Sequence, residues 1–568
     1  MTLNLINQLG EWNPQLFREL KGRLKPRNIL VSVAISFLGQ LFLLMAFASR
    51  LPVTENPHPL HNRYCTGFSQ EYSRPGCIAD KLGGFEINWQ LWWQDVFVWL
   101  SLIGIFALLV VGTYMLIADF SKEEHRGTLN FLRLTPGSTP SILGGKLLGV
   151  PILLYLVAAL ALPLHLLSDL SGNIPLSQIL GFYGVLGASC LFFYSAALLF
   201  GLVGNWLAGF QAWLGSGAVL IFLFATTDQL KYSGNFNSPS DWLMLFNPGS
   251  LLPYLIDSHS LDPANSSYSH GASFVELLWF YLPIGARIGT IAGFTIVNYG
   301  LWTYWIWQGL NRCFHNPNAT LLSKSQSYRL TACFEGVLLG FAVNPTVTDW
   351  RSDPKGLFEN FAAMLVFNLL LFLGLIAALS PHRQAIQDWA RYRHQNRSSR
   401  LRKVIPDLIW GRTSPAPVAV VLNLAIASIF LLLWIMLSSP REYTILALVG
   451  LLLSFSLIAL YATITQLMLL MKTPKRAIWA AVTISGLIIL PPIAFGFLSI
   501  SPSREPAVWL FSAFPWASVE YAAGTSVLVA LIGQSLAVAL LNLQLTRQLR
   551  QAGESSTKAL LSRRSPSP

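Results

Sequence analysis

Charged side chains are scarce in this 568-residue chain: they make up 11% of it, against 53% hydrophobic residues. Soluble domains carry about 25% Asp, Glu, Lys and Arg. That deficit, with a mean hydropathy of +0.51, excludes a soluble globular fold and implies an all-α polytopic membrane protein. Cysteine is also rare: five residues are too few for a disulfide framework. Catalytic motifs are missing as well. No Gly-x-x-x-x-Gly-Lys-Ser/Thr loop occurs, because the stretch ending Gly145-Lys146 has Pro140 at the first glycine position and Leu147 where Ser or Thr belongs. Neither His-Glu-x-x-His nor Gly-x-Ser-x-Gly is present. The chain is therefore expected to be no enzyme, and any ATP that powers it must be hydrolysed by another subunit.

What the chain has in abundance is long apolar runs. About 20 apolar residues cross a bilayer as a helix, and runs of that order fall near 29–49, 93–118, 147–168, 178–203, 206–227, 277–307, 358–380, 417–437, 444–470, 477–500 and 518–542. A twelfth, 329–347, is shorter and contains Glu335. Counting it places 28 of the 38 Lys and Arg on one side and 9 on the other, with Arg287 inside a span. By the positive-inside rule the rich side, with both termini, is cytoplasmic. The net charge of +12 is then a topological signal, and nucleic acid is not an expected partner.

The polar island between the second and third runs, 119–146, reads DFSKEEHRGTLNFLRLTPGSTPSILGGK. Its 28 residues far exceed what a turn requires. SKEEHRGTLNFLRL is expected to form one amphipathic helix, with Glu123 and Glu124 in the first turn and Arg133 in the last, complementing the helix dipole. Leu129, Phe131, Leu132 and Leu134 supply its apolar face.

The order Glu123-Glu124-His125-Arg126-Gly127-Thr128-Leu129, then Leu132, Thr135-Pro136, Ile142-Leu143 and Gly145-Lys146, resembles the cytoplasmic coupling segment of ABC-2 type transporter permeases. It departs from that pattern at Asn130, where a glutamate is usual, and at His125-Arg126, which separate the glutamates from the glycine. Residues 3–27 fit the same family, with Asn13-Pro14 and Arg18-Glu19-Leu20 in a basic, interfacial amphipathic segment. A cleaved signal peptide ending at Ala46-Phe47-Ala48 is disfavoured, since both the charged lead and the apolar run are too long.

The resemblance implies the membrane subunit of an exporter driven by separate ATP-binding cassette subunits, which would bind ATP and Mg; this chain itself would hold no cofactor. Glu123, Glu124 and Arg126 would contact the cassette, Gly127 would allow close approach, Leu129 and Leu132 would fill its groove, and Thr128 belongs to the same coupling set. Membrane lipid, and a further membrane subunit, are the other expected partners, and the cell (inner or plasma) membrane is the expected location. An ion-coupled secondary transporter, whose internal repeats also give two similar halves, and a non-transporting membrane protein remain alternatives.

The pattern of spans repeats after residue 310. The expected organisation is an interfacial helix over 1–28, a first six-span half over 29–310, a second, divergent half over 311–545, and a disordered basic tail over 546–568. The second cytoplasmic segment, 381–416, carries eight basic residues but only Gly411 and Ser414-Pro415 echo the first. It suits anionic lipid, a cassette, or both. Phe246-Asn247-Pro248 followed by Tyr254, and Phe514-Pro515 followed by Tyr521, sit before the last span of each half.

Cys65 and Cys77, in the expected extracytoplasmic loop 50–92, are expected to pair. A metal site of His58, His61, Cys65 and Cys77 is the alternative; no metal is expected. Arg287 and Glu335 are the intramembrane charges that cost most to bury, and so the functional candidates within the bilayer. Gly285, Gly289 and Gly293 form a small-residue stripe suited to close helix packing.

Overall fold

A computed structural model describes residues 10–52, 62–69, 74–78, 84–204, 209–229, 238–256, 277–343, 354–395, 404–438 and 441–553. The chain is a helical multi-pass membrane protein: among the described residues nine helices are long and apolar enough to cross a membrane. Its contacts divide it into two compact units, one reaching to His315 and one beginning at Asn316, with Trp279–Tyr281 belonging to the second.

In the first unit, α1 (Pro14–Arg23) leads into α2 (Pro26–Ala48) through Lys25, and Pro26 starts the second helix at a position where its missing N–H has no partner to lose. A long connection follows, in which strands Gly67–Ser69 and Arg74–Gly76 pair antiparallel. Cys65 and Cys77 are joined there by a disulfide with Cα atoms 4.8 Å apart. Their sulfurs are therefore not thiolate ligands for a metal, and His58 and His61 lie outside the described residues.

α3 (Trp89–Phe106) and α4 (Gly112–His125) are joined by a π-helical turn at Ala107–Val111, so that one continuous helix runs over Trp89–His125. At this turn the Leu108 carbonyl accepts both from the Gly112 N–H and from the Tyr194 hydroxyl, the latter at 2.8 Å. A Cβ at Gly112 would collide with that tyrosine ring, so the glycine makes room for Tyr194 against the turn.

Two short helices follow, α5 (Thr128–Leu134) and α6 (Thr139–Gly149), and after the break at Val150-Pro151 comes the long apolar helix α7 (Ile152–Ser171). The unit ends with α8 (Leu176–Val203), α9 (Gln211–Gln229) and α10 (Ile288–His315). α8 packs along α10 and α4, and α7 along α2 and α3. A cluster of buried residues including Leu116, Phe120, Leu143, Tyr194 and Phe314 ties α4, α6, α8 and α10 together.

The second unit comprises α11 (Lys324–Ala342), α12 (Pro354–Leu379), α13 (Arg383–Gln395), α14 (Val404–Trp410), α15 (Pro417–Ser438), α16 (Arg441–Leu469), α17 (Arg476–Phe497) and α18 (Gly524–Gly553). α16 is its hub, packing against α12, α15, α17 and α18.

The runs at 206–227, 277–307 and 329–347 correspond to α9, α10 and α11, beside the nine long apolar helices. Three expectations change. Arg287 is not inside a span: it is exposed, in a bend just before α10, because the helix starts at Ile288 rather than at 277. Gly289 and Gly293 face open space rather than a neighbouring helix, and the close approach comes from Gly184 of α8, whose Cβ position lies 3.4 Å from Ile296. The segment from 546 is helical as far as Gly553, continuing α18; residues 554–568 lie outside the described residues.

Candidate functional site

Asp119 and Glu123 are four residues apart on α4 and therefore share a face. Opposite them runs α1, whose Glu19 and Arg23 are also four apart. α1 is positioned by its cap: the Asn13 carboxamide accepts from the Leu16 N–H at 3.0 Å and donates to the Ser141 carbonyl of α6 at 2.8 Å. The two helices touch through glycine. A Cβ on Gly145 would stand 2.8 Å from Asn13 Oδ1 and from the Leu16 nitrogen, and one on Gly149 would stand 2.5 Å from Glu19 Cβ.

Between these two glycines Lys146 enters the centre, with 0% exposure. Its ammonium lies 2.6 Å from Asp119 Oδ2, 2.8 Å from Glu123 Oε2 and 3.6 Å from Glu19 Oε1, and 5.2 Å from the centre of the Phe120 ring. Arg23 closes the other side, 2.6 Å from Asp119 Oδ1 and 3.1 Å from Glu19 Oε2. Arg18 reaches Glu123 Oε1 at 3.1 Å. Three cations thus balance three carboxylates. Burial works against the charge on Lys146, but Asp119, Glu123 and Glu19 outweigh it and hold the lysine above its ordinary range. The carboxylates lie within 4.8 Å of one another, a spacing that suits a divalent cation, but the ammonium already fills their centre.

The expected single helix over 121–134 is two helices. Gly127 adopts φ +69 and separates α4 from α5, in the left-handed region where a residue lacking Cβ is unstrained. Nothing within this chain lies within 4 Å of a Cβ there, so inside the unit the glycine serves the turn. Thr128 supports the same corner by donating to the Glu123 carbonyl at 3.1 Å.

The turn rotates α5 so that Leu129 and Leu132 point into the core of their own unit, at 1% and 5% exposure. Expected to fill a partner's groove, they are spent on internal packing. Glu123 is turned inward as well, Glu124 is half-buried, and Arg126 and Thr128 are exposed. The apolar surface α5 offers outward is Phe131 and Leu134, at 73% and 84% exposure.

The second unit has a neutral counterpart. Lys324, at the start of α11, is buried and donates to the Leu408 carbonyl and Ser414 Oγ, both at 2.6 Å, and to the Pro415 carbonyl at 3.3 Å. Burial pushes it down to about 8, against the pull of Asp407. Asp407 itself accepts from Trp389 Nε1 at 2.6 Å and pairs with Arg393 at 2.9 Å. Gly411 lets the chain fold back here, since a Cβ would collide with Asp407.

Glu335 is buried on α11, with Asn368 donating to it at 3.4 Å; Arg287 belongs to the first unit and Glu335 to the second. The larger intramembrane surprise is in the first unit. His165 of α7 contacts Ser101 Oγ at 2.8 Å and the Tyr183 hydroxyl at 2.7 Å, and lies 3.5 Å from Asp169, which is fully buried. The i, i+4 spacing of His165 and Asp169 was available as a signal, but a span ending at 168 leaves Asp169 outside it. Glu19 and Arg23 show the same i, i+4 spacing, but the meeting of Glu19 and Asp119 with Lys146, over a hundred and nearly thirty residues away, left no comparable trace.

No family model, curated protein or solved structure matches this chain.

Proposed function

We propose that this chain is the membrane subunit of an ABC-2 type exporter, worked by a separate ATP-binding cassette subunit. In this reading twelve spans form two six-helix halves with both termini in the cytoplasm, and the chain resides in the inner or plasma membrane. The single observation that carries it is the corner at Gly127. A short helix with a sequence resembling the coupling segment projects Phe131 and Leu134 outward, while its base is anchored through Glu123 to the buried ammonium of Lys146.

A partner that grips α5 would thereby pull on α4, α1 and α6 together, because the ionic cluster links them. α4 is continuous with the spanning helix α3, so cassette closure would be transmitted as a tilt of a span, a rigid-body mode of switching. Arg126 and Glu124 would supply the polar rim of the contact. Purification from mild detergent should bring down a cassette ATPase, and Phe131→Asp with Leu134→Asp should release it. Absence of any co-purifying ATPase, or full transport by the double variant, would overturn the reading.

One observation favours a second reading. The buried His165 and Asp169 pair is the kind of intramembrane titratable group that ion-coupled secondary transporters use. Transport in proteoliposomes driven by a proton gradient without nucleotide, and abolished by Asp169→Asn, would select it.

A further inference from the structure

The second unit contains a cavity of about 460 Å³ that the coupling argument does not use. It opens at one end of three helices, between the first turns of α12 and α16, the last turn of α15 and the segment just before α18. Its walls are aromatic: Phe358, Phe361, Trp434, Tyr443, Trp516 and Tyr521 all line it. Phe361 and Trp434 lie nearly parallel with ring centres 6.4 Å apart, and Phe358 meets Trp516 at 5.7 Å and 60°. Gly450 of α16 lets the Trp516 and Phe361 side chains come close, since a Cβ there would stand 3.3 Å from Trp516 Cβ and 3.5 Å from the Phe361 ring.

Two carboxylates, Glu359 and Glu520, complete the lining, and no Lys or Arg is among the described residues that form it. The volume suits a small organic molecule. We infer that this cavity binds an organic cation bearing an alkylated ammonium group.

The chemistry selects that class on two counts. Aromatic faces carry negative potential and attract a cation most strongly when it is weakly hydrated. An alkylated ammonium is, whereas an inorganic ion or a compact primary ammonium keeps its water. The carboxylates then add long-range attraction without requiring a hydrogen-bond donor, and they repel anions. A neutral apolar molecule would gain from the rings but nothing from Glu359 and Glu520. The source of the charged group is either a free organic cation or the headgroup of a choline lipid.

The inference does not depend on a cassette partner, and its test needs only the full chain in non-ionic detergent. Titration calorimetry with benzyltrimethylammonium should show saturable binding to one site. Glu359→Gln with Glu520→Gln, both exposed and so harmless to folding, should weaken it about tenfold or more, and Trp516→Leu about tenfold. Ala447→Trp, which fills the cavity, should abolish it. Choline should displace the probe and its uncharged isostere 3,3-dimethylbutan-1-ol should not. Loss of probe binding in nanodiscs of phosphatidylcholine, with retention in phosphatidylglycerol, assigns the site to a lipid headgroup; retention in both assigns it to a free cation. No saturable binding by the unaltered chain, an unchanged affinity in the double glutamine variant, or equal competition by the uncharged alcohol would overturn the inference.

Discussion

Lys146 in α6 and Lys324 at the start of α11 are both buried within their respective units, and they are held in opposite ways. Lys146 sits among three carboxylates and is held protonated by them. Lys324 sits among two carbonyls and a hydroxyl, which accept its protons but offer no countercharge in contact. The first arrangement is a lock: removing the cation strands negative charge out of water. The second is a clasp, from which the cation can be removed, or neutralised, without leaving a charge behind. The unit with the lock also carries α5 with its outward Phe131 and Leu134, so the stiffer base lies where force is proposed to enter.

The comparison breaks most sharply at Lys146. Replacing it with methionine leaves three carboxylates against two guanidiniums, and breaking one partner of a buried ionic group costs about 3–5 kcal/mol. Thermal unfolding of the detergent-solubilised protein should show a loss of that order, together with faster proteolysis in α1. A loss below about 1 kcal/mol would make the cluster an ordinary surface network. Next in size is Gly149→Leu, which drives a side chain into Glu19 and should cost about 1–3 kcal/mol by overpacking, read in the same assay.

Lys324→Met should change stability at neutral pH by only about 1 kcal/mol, since lost hydrogen bonds and relieved burial of charge offset each other. Its sharper signature is pH dependence. The folded-state value of about 8 lies below the unfolded value of 10.5, so between those limits the unfolded chain binds more protons and stability rises with pH. Lys146 is displaced the other way, so its contribution is fully present below 10.5 and is lost only above. Unfolding followed from pH 7.5 to 10 should therefore show a rise that Lys324→Met removes. If Lys324→Met leaves the profile unchanged, the clasp does not titrate and the contrast between the lysines fails. The smallest expected effect on stability is that of Phe131→Ser with Leu134→Ser, within about 0.5 kcal/mol, because both side chains are exposed. Any larger loss would mean that α5 packs on more than Leu129 and Leu132.

Much of the architecture could be read from local features. Long apolar runs announce membrane helices because an unpaired backbone cannot remain in lipid, and most of the expected runs correspond to helices. Boundaries suffered where polarity is mixed: the stretch from 277 is apolar enough to suggest a span, yet the helix begins at Ile288. The candidate segment was legible as a motif and misread as a surface. Leu129, Phe131, Leu132 and Leu134 all looked like one apolar face, and nothing in their order says which two the chain keeps for itself. Gly127 decides that, by turning the helix axis before Thr128. Asp169 was missed for a plainer reason, a span ended one residue too early, and without it His165, inside that span, had no partner four residues on to mark it.

The sequence by itself determined that this chain is a helical multi-pass membrane protein and that one polar segment carries a coupling-like pattern, since composition and short-range order suffice for each. Only the tertiary structure decided what that segment does with its residues. Glu19, Asp119, Glu123 and Lys146 meet because α1 and α6 approach through Gly145 and Gly149, and ionic partners drawn from such distant positions leave no periodicity behind. The same holds for the aromatic cavity of the second unit, whose walls come from four separate elements and whose charge is set by which side chains happen to face inward together.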